Sequence, residues 1–134
     1  MATSSTKYLR KRTIIEISRS SNYSDPIEGP TTITEEYQVT RYKKQEYLAA
    51  TGGTTVDLSE FGTIQDLVIY NRDSTNYVDT THRTGTTAGT AQAQSARIDA
   101  SKAVSLGDVT PGNDLILTAN SADCEVIIEV WGSV

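Results

Sequence analysis

The 134-residue chain holds one cysteine, one histidine, one tryptophan and one phenylalanine. A single cysteine, Cys124, forbids an internal disulfide and leaves the redox compartment open. It lies in "DCEVIIEVW", where every second residue is apolar, so it reads as a packed thiol rather than a nucleophile. A single histidine, His82, removes metal sites built on clustered histidines and any catalytic array that needs two. A Ser-His-Asp triad remains numerically possible, but no G-x-S-x-G elbow accompanies it. His82 stands before "RTG" at a strand end and is expected at the surface.

Long apolar runs are missing too. No stretch approaches the roughly 18 apolar residues of a membrane span, and "MATSSTKYLRKR" lacks the apolar segment of a signal peptide. No membrane partner is expected. Apolar residues make up 37% of the chain, below the roughly 45–50% of globular averages, which count glycine. A thin core between two sheets fits that figure, with a partner chain supplying further burial. The net charge of −5 argues against non-specific nucleic-acid binding.

What is abundant is threonine, with 20 residues, a residue at home in strands. The charge is also unevenly spread. Lys7, Arg10, Lys11 and Arg12 precede the first acid, Glu16, whereas from Val68 onward four basic residues face eight acidic ones. Residues 1–12 therefore read as a basic N-terminal arm and residues 13–134 as one domain. Lys7, Tyr8, Arg10, Lys11 and Arg12 are the candidate partner-binding residues, docking on an acidic neighbour such as a sister subunit. The plainer alternative is a solubilising tail.

Along the chain, "RTIIEISRS" reads as a strand and "SNYSDPIEGPTT" as a loop, since Pro26 and Pro30 forbid a central strand. "ITEEYQVTRYKKQEYLAA" holds one or two strands. "TGGTT" reads as a hairpin turn, and "TIQDLVIYN" as a strand inside the sandwich because Leu67 to Tyr70 are apolar on both faces. "NRDSTN" reads as the connection of a second hairpin, echoed by "NSAD" near the C-terminus. A small polar stretch, "TGTTAGTAQAQSA", is either a loop or a hairpin turning at Ala88 and Gly89. Further turns fall at Asp99 to Lys102 and at Pro111-Gly112. Leu115, Leu117 and Ala119 should share one face, as should Cys124, Val126, Ile128 and Val130. The sum is an all-β fold, an antiparallel β-sandwich of about nine short strands.

No motif carries reaction chemistry. Glu35 and Glu36 point to opposite faces of a strand, and Asp57 with Glu60 sits in a turn, so neither is a glycosidase pair. EF-hand and phosphate-binding loops are absent, and no cofactor or metal is expected. Carbohydrate binding is the rival to be weighed, because Tyr37, Tyr42 and Tyr47 fall within eleven residues. Their spacing breaks the alternation that a one-faced platform would use, which favours packing or an interface.

"IQDLVIYNRDSTNYVDT" and "IDASKAVSLGDVTPGNDLILTANSADCEVIIEVWG" resemble small virion proteins of tailed bacteriophages. The shared pattern is an apolar strand ending in Asn, then D-x-T-N-Y-V, a turn, D-L-x-L-T-A-N and a closing apolar strand. The resemblance covers about the C-terminal half. It implies a jelly-roll-like sandwich and a non-enzymatic role as a capsid decoration (cement) protein at the virion surface. The major capsid protein would be its partner, and a homotrimer its form. The alternatives are a neck, tail or fibre subunit, or a carbohydrate-binding module for host attachment.

Overall fold

A computed structural model describes residues 7–22, 24, 31–85 and 92–134. Ten strands form among them: β1 (Lys7–Ile15), β2 (Thr31–Val39), β3 (Arg41–Ala49), β4 (Thr54–Val56), β5 (Thr63–Asn71), β6 (Val78–Thr84), β7 (Gln92–Ile98), β8 (Ala103–Gly107), β9 (Leu115–Ala119) and β10 (Cys124–Ser133). No helix occurs among the described residues. The sheet β3-β10-β5-β8 faces the sheet β4-β9-β6-β7, and β1 and β2 form a separate two-stranded ribbon.

All pairings are antiparallel, and their order has a simple origin. β3 pairs with β10, β4 with β9, β5 with β8 and β6 with β7. These are the rungs of one long hairpin whose arms are β3 to β6 and β7 to β10. Rolling that hairpin up brings β10 against β5 and β9 against β6. The result is a jelly roll, as the resemblance implies, and an open sandwich rather than a closed barrel.

Period-two alternation drives the packing. Cys124, Val126, Ile128 and Val130 point inward from β10, and Leu115, Leu117 and Ala119 from β9, all buried. Leu67 and Ile69 from the interior strand β5 meet them with no exposed area. Burying a side chain of that size contributes about 1.5–3 kcal/mol.

The connections differ from the expectation. "TGGTT", "NRDSTN" and "NSAD" join strands of opposite sheets, so each is a corner of the roll and not a hairpin turn. Glycine, asparagine and aspartate serve both kinds of turn, so their presence does not distinguish a hairpin from a corner. The echo between "NRDSTN" and "NSAD" is nevertheless structural, because the two corners lie side by side. Asn120 Oδ1 accepts from the Tyr77 amide at 3.1 Å, and Ser121 Oγ donates to Asn76 Oδ1 at 2.7 Å. Asn71, fully buried, donates through Nδ2 to the carbonyls of Asn76 at 2.8 Å and Ile98 at 3.1 Å. Its Oδ1 accepts from the Asp73 amide at 3.0 Å. The polar joint after β5 is thus a scaffold for two corners. The expected turn at Ala88 and Gly89 lies outside the described residues; Thr84 and Gln92 on either side are paired.

Candidate interaction surface

β1 and β2 pair over nine residues each, from Lys7 opposite Val39 to Ile15 opposite Thr31. The strand expected from Arg12 therefore begins at Lys7, and the anticipated boundary at residue 12 falls inside β1. Alternation divides the ribbon into two faces. Leu9, Lys11, Thr13 and Ile15 share one with Tyr37, Glu35 and Ile33; Tyr8, Arg10, Arg12 and Ile14 share the other with Gln38, Glu36 and Thr34.

The first face turns onto the body, and a bulge explains where it lands. Trp131 on β10 pairs with Asp66, yet Gly132 pairs with Ile64, leaving Gln65 as the extra residue of β5. The bulge lets Ile64 and Leu67 both enter the core while Asp66 faces outward. Asp66 is only 4% exposed all the same, because the ribbon covers it. Lys11 Nζ lies 3.1 Å from Asp66 Oδ2 and donates to Ser105 Oγ at 2.6 Å. Ser105 Oγ and the Leu67 amide each donate to Asp66 Oδ1 at 3.0 Å. The buried carboxylate is thereby satisfied on both oxygens, as burial of a charge requires. Tyr37 lies beside this latch; burial, then the charge of Glu35, raise its phenol above the ordinary value.

The five residues singled out from sequence do not form one surface. Lys11 is spent on its own body, while Tyr8, Arg10 and Arg12 are exposed on the opposite face. Arg10 pairs with Glu36 across the ribbon at 2.8 Å. For Lys7 the backbone pairing with Val39 is the defined feature. Sequence reasoning passed over the isoleucines beyond the latch. Ile14 is 55%, Ile15 56%, Ile17 61% and Ile33 51% exposed. A β-branched run reads as core, and only its place on a projecting ribbon reveals otherwise.

Other expected features resolve plainly. Tyr37, Tyr42 and Tyr47 occupy three surfaces: Tyr37 under the ribbon, Tyr42 on the outer face of β3, and Tyr47 against the core. They make no common platform. Tyr42 instead meets Trp131, ring centres 5.6 Å apart, in a hollow bordered by Tyr8, Leu9 and Val39. Asp57 accepts from the Ser59 hydroxyl and amide, which lower its pKa, while Glu60 pairs with Arg41 at 3.2 Å and Lys43 at 3.0 Å. Both carboxylates are structural. Cys124 is a packed thiol with no exposed area, and burial raises its pKa.

His82 corrects the expectation of a surface residue. It is 5% exposed in β6, its Nδ1 lies 3.4 Å from Thr80 Oγ1, and burial lowers its pKa. It points inward because it continues the alternation of Val78 and Thr80. Among the described residues no group of three His, Cys, Asp or Glu is placed to hold a metal ion, and no helix is long and apolar enough to cross a membrane.

No family model matches the chain. No curated protein matches it either. Among solved structures it is similar to a chain from work entitled "Bacillus endospore appendages form a novel family of disulfide-linked pili". The identity is 10% and the TM-score 0.42, over 100% of this chain and 96% of that one. That similarity is too low to assign a role.

Proposed function

We propose that this chain is a non-enzymatic structural subunit that acts by assembly, and that it decorates a bacteriophage capsid by binding across subunits of the shell. The observation that carries the assembly reading is the ribbon, on which Ile14, Ile15 and Ile33 are each more than half exposed. Exposed apolar area concentrated on one element marks a surface that a partner covers. The virion setting rests on the resemblance of the C-terminal half and fits a jelly-roll body. In this reading the partner is the major capsid protein, and the subunit works as a homotrimer. Contacts made only in the assembled state add to the stability of the shell.

Binding of the purified chain to shells lacking it tests the proposal. The full chain should bind saturably, and a chain lacking residues 1–12 should bind more weakly, because most of β1 is gone. Absence of binding by the full chain would overturn the decoration role, and equal binding by the truncated chain would overturn the part given to the ribbon. A second reading, glycan attachment, draws on the exposed Tyr8 and Tyr42 and the half-buried Trp131 around one hollow. Glycan-array binding abolished by Trp131→Ala would favour it over decoration.

A further inference from the structure

β1 and β2 pair with each other and with neither four-stranded sheet. One residue, Thr40, separates β2 from β3. Thr40 is pinned to the body: its amide donates to the Gly132 carbonyl at 2.9 Å, and its Oγ1 accepts from the Val134 amide at 3.3 Å. Beside it, Val39 is buried and anchors the near end of the ribbon. Farther out, the ion pair and hydrogen bond of Lys11 are the ribbon's polar contacts with either sheet among the described residues. Lys11 stands opposite Glu35, five positions before Thr40, a lever of roughly 17 Å at about 3.4 Å per residue. The seam is not dry. A hollow of about 490 Å³, bordered by Tyr37, Gln65 and Asp108, opens beside Lys11, and one of about 280 Å³, bordered by Leu9, Val39 and Trp131, opens nearer Thr40. The Lys11 side chain is itself 30% exposed.

We infer that the ribbon is a strap that opens and closes as one piece about Thr40, with Lys11 as its catch. Opening parts Lys11 from Asp66 and Ser105 and leaves the nine backbone pairings of β1 with β2 intact. Peeling β1 from β2 would instead give up those pairings one after another, and backbone groups need partners. Swinging is therefore the cheaper motion. Water enters from the adjoining hollow and replaces each partner of the ion pair as the two separate. Asp66 is not orphaned, because Ser105 Oγ and the Leu67 amide still donate to its Oδ1. A two-state balance of this kind keeps the minor, open form at roughly 0.1–10% of chains, and hinge motions fall in the microsecond-to-millisecond range. Opening uncovers Leu9 and Tyr37 on the ribbon and Asp66 on the body, and it removes one wall of the hollow beside Trp131. The surface of the chain thus has two settings, governed by one ion pair. This goes beyond shell decoration and does not require it.

Trp131, the single tryptophan, reports the motion. In the purified natural chain, relaxation-dispersion NMR should find one shared exchange process at the Trp131 indole and at the amides of Lys11, Asp66 and Ser105. Flat profiles at those groups would overturn the inference. Lys11→Ala should move the Trp131 emission to the red and raise its quenching by acrylamide, while Lys11→Arg stays near the natural chain. Hydrogen exchange of the Lys11→Ala chain should leave the paired β1 and β2 amides protected. Raised quenching with those amides unprotected would mean that the ribbon melts rather than swings, and unchanged quenching would mean that Lys11 is no catch; either overturns the inference. Should Lys11→Ala fail to fold, the dispersion profiles of the natural chain and of Lys11→Arg still decide the matter. Shell binding is a separate measurement, so failure here and failure of the decoration role are distinguishable.

Discussion

Lys11 and Asp66 show how one buried carboxylate fixes the placement of a whole ribbon. Asp66 has three donors in Lys11, Ser105 and the Leu67 amide. Removing the cation leaves a buried charge short of a partner. Lys11→Ala should therefore destabilise the chain by about 1–3 kcal/mol, limited because a loosened ribbon admits water to the carboxylate. Adding Asp66→Asn to that variant should recover part of the loss, since the charge that needed Lys11 is gone. Urea unfolding of the two variants checks this, and a double variant no more stable than Lys11→Ala would contradict it. His82 gives a second test. Burial lowers its pKa, so below about 6.5 the unfolded chain takes up a proton that the folded chain resists. Its contribution is present above about pH 6.5 and is lost as pH falls through that value toward the lower folded one. The carboxyls of Asp57, Asp73 and Asp79 are also lowered, by hydrogen bonds from Ser59, from the Asn76 and Thr75 amides, and from Arg97. Their losses begin only as pH falls below about 4. Urea midpoints measured from pH 7.5 to 5 should decline in the natural chain and stay nearly flat in His82→Gln.

Among the elements, the β5–β10 bulge links the core to the ribbon. A Cβ at Gly132 would run into the Thr63 carbonyl oxygen and stand 3.1 Å from Ile64 Cα. Backbone would have to move, so Gly132→Ala should cost about 1–3 kcal/mol, as overpacking does. It should also disturb the aim of Asp66 at Lys11, and an unchanged urea midpoint would contradict both points. The inward faces of β9 and β10 were legible from sequence, because alternation over five or more residues specifies which side is buried. Pro111-Gly112 was legible as a turn for the same local reason, and Gly112 does take a positive φ of 118°. The corners were not, since a turn's residues fix its local bend but not the sheet that the next strand joins. Nor was the exposure of Ile14, Ile15 and Ile33, because a β-branched run reads as a strand whether or not a sheet covers it. The basic arm was visible as charge, yet its pairing with β2 depends on contacts across residues 16–30 that local patterns do not encode.

At the scale of the molecule, the chain divides into a rolled hairpin that buries its own core and a ribbon that leaves apolar surface uncovered. The first part explains stability, and the second gives a reason for partners. Copy number in purified particles, by quantitative mass spectrometry against the major capsid protein, tests the decoration role most directly. Shell decoration predicts on the order of hundreds of copies per particle. A count near a small cyclic number, roughly three to twelve, would instead place the chain in a neck or tail ring, and absence from the particle would contradict the virion role altogether.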